Sequence, residues 1–258
     1  MAQAKKTANK KRGFWKIFGL IVLIFFLLSI FFTIIFRWVN PVVTPLMVIR
    51  KIQYGYPIEK QWKDLDEISP YMYKAAIASE DCYFLGHRGF DVIALDIVMQ
   101  ERKHGIRKRG GSTISQQTAK NVFCWPRSSW IRKGFETYYT FLIETFWSKK
   151  RIMEVYLNVI EMGPGIYGAE AAAQHYFHCS AKHLSARQAS LITACYPAPL
   201  KRNPAHPSGY LSRQAGIIQG RMARYGTPKF TKEYIAGCQK RYKKAVAKME
   251  KRRKNRKK

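Results

Sequence analysis

At 258 residues, with 46 Lys and Arg against 16 Asp and Glu, the chain has room after its tails for one domain of about 170–190 residues and none for a second catalytic domain. The net charge of +30 points to polyanionic surroundings, whether anionic headgroups, a lipid diphosphate or nucleic acid, without choosing among them. Cys82, Cys124, Cys179, Cys195 and Cys238 are scattered without C-x-x-C spacing, which argues against a zinc site and a dense disulfide scaffold and leaves an odd thiol unless it pairs between chains.

Residues 1–16 carry Lys5, Lys6, Lys10, Lys11, Arg12 and Lys16 among small and polar residues, and are expected to be an unstructured cytoplasmic tail. Ile17 to Phe36 follows as twenty residues without a charge, enough at about 1.5 Å per residue to span a hydrocarbon core of about 30 Å. The run exceeds a signal-peptide core and no A-x-A-like cleavage site follows, so 17–37 is assigned as an uncleaved anchor. Six cations precede it and only Arg37, Arg50 and Lys51 follow closely, which predicts a cytoplasmic N-terminus and a domain outside the inner membrane. Pro41, Pro45 and Pro57 make the membrane-proximal stretch, 38–62, a stiff, irregular approach. Asp64-Leu65-Asp66 is a D-x-D, the metal and nucleotide-sugar motif of one glycosyltransferase class, but that class needs a βαβ alternation that is missing here.

The main folded domain is expected over 63–215. Tyr71 to Ser79 reads as a helix with Ala75, Ala76 and Ala78 for close packing, placing Glu80 and Asp81 near its C-terminal end, where the dipole disfavours anions. Gly86 and Gly89 then break the run, so the carboxylates stand at a helix-to-loop junction, where a side chain can face a cleft. On these residues alone a solvated acidic pair is the plainer account. Gly110 and Gly111, after Arg109, lead into Ser112 and a helix face carrying Thr113, Gln117 and Lys120. A glycine-rich entry to a helix N-terminus suits an oxyanion or phosphate, although a capped surface helix would read the same way.

Ile131 to Trp147 reads as a long helix with an aromatic face including Phe135, Tyr138, Tyr139, Phe141 and Phe146, and with Arg132 and Glu136 one turn apart. Ser148 can cap the next helix, with Ile152, Val155, Tyr156 and Val159 on one face. Gly163, Pro164, Gly165 and Gly168 mark a loop before an Ala-rich helix over 169–177, and Ser185 with Gln188 forms a capping box for a helix through Ala194. Residues 216–258 form a basic extension in which twelve of the nineteen residues from Lys240 are cationic, a solvated tail or a helix on an anionic surface. Nearly every periodic segment is helical, so the fold class is mainly α.

Five blocks in order, EDCYFLGHRGFD (80–91), GGSTISQQTAKN (110–121), RKGFE (132–136), KKRIMEVYLN (149–158) and GIYGAEAAAQHYF (165–177), resemble the peptidoglycan glycosyltransferase family, in particular its monofunctional membrane transglycosylases. Cys82, Ser115 and Thr118 depart from the usual pattern without removing a charged position. The S-x-x-K and K-T-G motifs of the transpeptidase found in bifunctional relatives are absent.

The resemblance implies a lysozyme-like, two-lobed domain that polymerises lipid II into glycan strands with inversion at the anomeric carbon and release of polyprenyl diphosphate. It makes Glu80 the general base and Glu136 the second catalytic carboxylate. Asp81, Ser112, Thr113, Gln117, Lys120, Asn121, Arg132 and Lys133 become the substrate and diphosphate contacts, with Lys120 and Arg132 nearer to Glu136 than to Glu80. No organic cofactor is implied, while Mg2+ or another divalent cation near Glu136 is left open. The partners implied are lipid II, the growing strand, membrane lipids and wall-synthesis proteins, and no nucleic acid. A lytic enzyme of the same fold would not need the lysine-arginine cluster. A membrane-tethered polyanion binder would leave the five ordered blocks unexplained.

Overall fold

A computed structural model describes residues 2–105 and 110–255, with side chains from Trp15 onward. Arg109, which opens the glycine-rich entry, and the last three residues of the basic extension lie outside the described residues. The chain divides into residues 1–39 and 40–258.

The first unit is a single helix, α1 (Ala2–Ile35), whose stretch from Trp15 to Ile35 is 21 residues long and apolar enough to cross a membrane. Its apolar side chains, such as Ile17, Leu20 and Leu27, are exposed. The helix starts at Ala2, inside the segment expected to be unstructured. Its Ala and Lys residues are good helix formers and the apolar run supplies a nucleus to propagate from.

The second unit is built of ten helices and one small sheet among the described residues. The approach expected to be irregular contains α2 (Pro45–Tyr54). Thr44 caps it, Pro45 occupies its first position with φ already set for a helix, and Gly55 ends it at φ 69°. Asp64 caps a short 3-10 turn and Asp66 pairs with Lys150 at 2.6 Å, so neither aspartate of the D-x-D is aimed at a site.

Helix α3 (Pro70–Glu80) is capped by Ser69 and buries Met72, Ala75, Ala76, Ile77 and Ala78. It packs with α9 (Ala186–Cys195) and α10 (Gly209–Arg224) as one group. The other group is α5 (Ile114–Phe123), packed on α6 (Trp130–Phe146) and α7 (Lys149–Val159). Between α3 and α5 runs α4 (Val92–Lys103), capped by Asp91. The buried face of α6 is Tyr139, Leu142 and Ile143, with Tyr139 stacked on Phe123 at 4.2 Å. Phe141 is 65% exposed, because at 100° per residue it falls away from that face, so the expected single aromatic face does not exist.

Strands β1 (Glu59–Lys60), β2 (Glu161–Gly163) and β3 (Ile166–Tyr167) form a sheet in the order β1-β3-β2, with β1 parallel and β2 antiparallel to β3. Gly168 lies at φ 86° with its Cα side against the Asn158 backbone, where a Cβ would meet the carbonyl oxygen at 2.8 Å. That close approach lets α8 (Ala169–Phe177) follow the sheet directly. The last helix, α11 (Lys232–Asn255), is the helical form of the basic extension.

Candidate active site

Glu80 is the last residue of α3 and is half-buried. Ser79 Oγ donates to its Oε1 at 3.0 Å and Gln117 Nε2 donates to its Oε2 at 2.9 Å. Gln117 is itself oriented, because its Oε1 accepts from the hydroxyl of Tyr156 at 3.1 Å. Tyr156 is fully buried, and burial followed by the Glu80 charge holds its phenol well above the ordinary range, so it remains a neutral donor. A line of donors thus runs from α7 through α5 to the carboxylate on α3.

The neighbouring carboxylate has another task. Asp81 is buried, and its two oxygens accept from His87 Nε2 at 2.8 and 3.0 Å. Oδ2 also accepts from the backbone N–H of Ile114, the first residue of α5, at 3.0 Å. The unfavourable position at the C-terminal end of α3 is therefore offset by the N-terminal end of α5, whose free N–H groups and dipole favour an anion. Asp81 ties the two helices together, and its side chain is buried in that clamp.

Thr113 stands before α5 as its cap rather than on its face. Its hydroxyl accepts from Gln116 N and donates to Gly89 O at 2.6 Å, and the Gln116 side chain completes a capping box. Ser112 is half-buried and accepts from Lys133 Nζ at 3.4 Å. Asn121 is buried, with its Nδ2 donating to Gln117 O at 2.8 Å.

On α6, Glu136 is 3% exposed and gives one carboxylate oxygen to Arg132, at 2.8 Å, and the other to Lys133. Lys120 belongs to the same electrostatic group. Burial pushes its ammonium below the usual lysine range, Glu136 and then Glu161 working against that shift and Arg132 and Lys133 adding to it. Glu80 takes its bonds from Ser79 and Gln117 instead, and no hydrogen bond joins it to Glu136 among the described residues.

A cleft of about 500 Å3 is lined by Gln117 of the donor line, while Glu80, Arg132, Lys133 and Glu136 are not among its lining residues. Gln117, Lys120 and Asn121 of α5 form one wall, Arg50 of α2 and Glu161 of β2 another, and Tyr196 a third. Arg50 and Glu161 pair at 3.2 Å, and burial raises the Glu161 carboxyl despite the guanidinium beside it. Arg50, Tyr156 and Glu161 carried no signal in the sequence that marked them for the site. Arg50 stood in a stretch read as linker, Tyr156 read as a core aromatic, and Glu161 followed the fourth block without belonging to it.

The donor set does not make a protein cage for a divalent cation. Both oxygens of Glu136 are held by cations, and no group of three or more His, Cys, Asp or Glu stands together among the described residues. What the arrangement can do is accept a proton at Glu80 and neutralise an anion with the half-buried cations Lys120, Arg132 and Lys133.

The transglycosylase family profile matches residues 47–223. The chain is 53% identical over 205 residues to a protein named biosynthetic peptidoglycan transglycosylase from Bacteroides thetaiotaomicron, covering 77% of this chain and 83% of that one. It is 49% identical over 207 residues to a protein of the same name from Bdellovibrio bacteriovorus, covering 78% and 83%, and 51% identical over 185 residues to one from Caulobacter vibrioides, covering 72% and 80%.

Proposed function

Given that the chain belongs to the transglycosylase family, we propose that it is a peptidoglycan glycosyltransferase that polymerises lipid II, with Glu80 as the general base. The 4-hydroxyl of an incoming lipid II attacks the anomeric carbon of the growing strand while Glu80 takes its proton, a transfer that contributes about 10²–10⁴-fold. The bond to the diphosphate breaks as the new one forms, the α linkage becomes β, and polyprenyl diphosphate departs. Its charge needs neutralisation rather than a proton, which Lys120, Arg132 and Lys133 supply, while Glu136 holds two of those cations in place. The observation that carries this reading is the donor line from Tyr156 through Gln117 to Glu80, which leaves an oriented carboxylate one hydrogen bond from a residue of the cleft that half-buried Lys120 also lines.

Any Mg2+ would arrive on the substrate's phosphates rather than in a preformed carboxylate cage, since Mg2+ keeps water and phosphate ligands readily. The basic residues in the first part of α1, at the N-terminal end of its apolar span, favour a cytoplasmic N-terminus, so the domain works on the outer face of the bacterial cytoplasmic membrane, among membrane lipids and with proteins of wall synthesis as neighbours. The test is incubation of the purified full chain with labelled lipid II in detergent. Muramidase-sensitive polymer is expected. Its absence from a folded preparation overturns the assignment.

A further inference from the structure

Helix α11 lies beyond the residues matched by the family profile, and the reaction above makes no use of it. One side of it is nevertheless built into the segment that follows Glu80. Tyr242, the buried residue of α11, accepts a hydrogen bond from Val92 N at 2.9 Å and donates one to Asp91 Oδ1 at 3.2 Å. That same oxygen caps α4 by accepting from the N–H groups of Ile93 and Ala94. The tyrosine ring lies 5.3 Å from Tyr83 and 5.9 Å from His87, centroid to centroid.

The approach is as close as backbone allows. A Cβ on Gly86 would stand 2.7 Å from Tyr242 Cβ and 3.2 Å from the Cys238 carbonyl oxygen, so the residue opposite α11 is one without a side chain. From there the contacts run inward. His87 holds Asp81, Asp81 holds the first N–H of α5, Asp81 follows Glu80 directly, and α5 carries Gln117. Tyr242 therefore rests on a segment whose inner end sets both the carboxylate and the amide that orients it. The charged side of α11, with Lys240, Lys244 and Lys251 exposed, takes no part in this contact.

We propose that Tyr242 is a positioning residue for glycosyl transfer, and that α11 braces the Tyr83–Asp91 segment so that Glu80 and Gln117 keep their register. The inference rests on the reading of Glu80 as base. A brace predicts a particular kinetic signature. Arg132 and Lys133 sit on α6, away from the α11 contact, so substrate capture survives its loss, while a misplacement of the base by an ångström or less slows the chemical step on the order of 10–100-fold.

The experiment compares full-chain wild type, Tyr242→Phe and Tyr242→Ala in detergent with labelled lipid II, recording kcat, KM and the unfolding midpoint, with Glu80→Gln alongside. Tyr242→Ala is expected to lose kcat at least about tenfold with KM within about twofold, and Tyr242→Phe, which keeps the ring on Tyr83 and His87, to recover part of it. An unchanged kcat in Tyr242→Ala, or a rise in KM that accounts for the whole loss, overturns the brace. Should Tyr242→Ala not fold, Tyr242→Phe decides: a wild-type kcat there counts against the hydroxyl contacts and overturns the proposal. Failure of the base reading shows separately, as activity retained by Glu80→Gln.

Discussion

Gln117 is the residue on which the site turns, since its amide can serve Glu80 only while Tyr156 fixes which end faces the carboxylate. Replacing Glu80 by Gln removes the proton acceptor but keeps the shape and one acceptor atom for its neighbours. Polymer formation should fall at least about 100-fold while the unfolding midpoint stays nearly constant, measured by gel analysis of labelled product and by thermal unfolding. Lys120 makes a pH prediction. Its ammonium is pushed below the usual lysine range by burial, so its charge is lost as pH rises through that lowered value, earlier than an ordinary lysine would lose it. If the cation serves the diphosphate, kcat/KM should decline on the alkaline side at a pH below the ordinary lysine pKa of about 10.4, and Lys120→Arg should move that limb upward, because a guanidinium does not lose its proton there. An alkaline limb that does not move in Lys120→Arg assigns the titration to another group.

At the scale of elements, the short segments around the sheet are held by side chains rather than by strand length. Asn158 on α7 is fully buried and bonds Lys63 from both sides, accepting from its N–H at 2.9 Å and donating to its carbonyl at 2.8 Å, with a further bond to Glu154 O. Asn158→Ala leaves a backbone donor and acceptor without partners, at a cost of about 1–3 kcal/mol. The unfolding midpoint should drop accordingly, while polymerisation at low temperature stays within a few-fold of wild type, because Tyr156 keeps its place through its own buried packing. A rate loss as large as that of Glu80→Gln would make Asn158 part of the catalytic arrangement instead. The α3-to-α5 junction shows the same economy: an anion at a helix C-terminus is tolerated because a second helix starts on it.

For the whole molecule, the two units carry separate duties. The largest fully buried side chains, among them Met47, Phe84, Tyr156 and Tyr167, all belong to the second unit, which has a core of its own. Deleting residues 1–38 should leave a folded enzyme that polymerises lipid II in detergent more slowly than the full chain, since an anchor raises local concentration at the bilayer. A truncated protein that folds but forms no polymer would show that α1 helps to form the substrate groove. The charge of +30 should make adsorption to anionic vesicles fall steeply with salt, whereas the half-buried cations near Glu136 are screened less.

Periodicity, capping residues and ordered blocks are local, and what they encode was legible in the chain: the apolar span, the mainly helical fold, the Ala-rich helix over 169–177 and the capping box at Ser185. The carboxylate at the end of α3 and the glycine-rich entry to α5 were legible for the same reason. What the tertiary structure decided is which of the polar residues have bonding capacity left over. Asp81 and Thr113 look as available as Glu80 and Gln117 in the sequence, yet the meeting of α3 with α5 commits the first two to a clamp and a cap. Arg50, Tyr156, Glu161 and Tyr242 lie between 30 and 162 residues from Glu80 along the chain. Their part arises only from packing, because no spacing rule connects residues brought together by different helices.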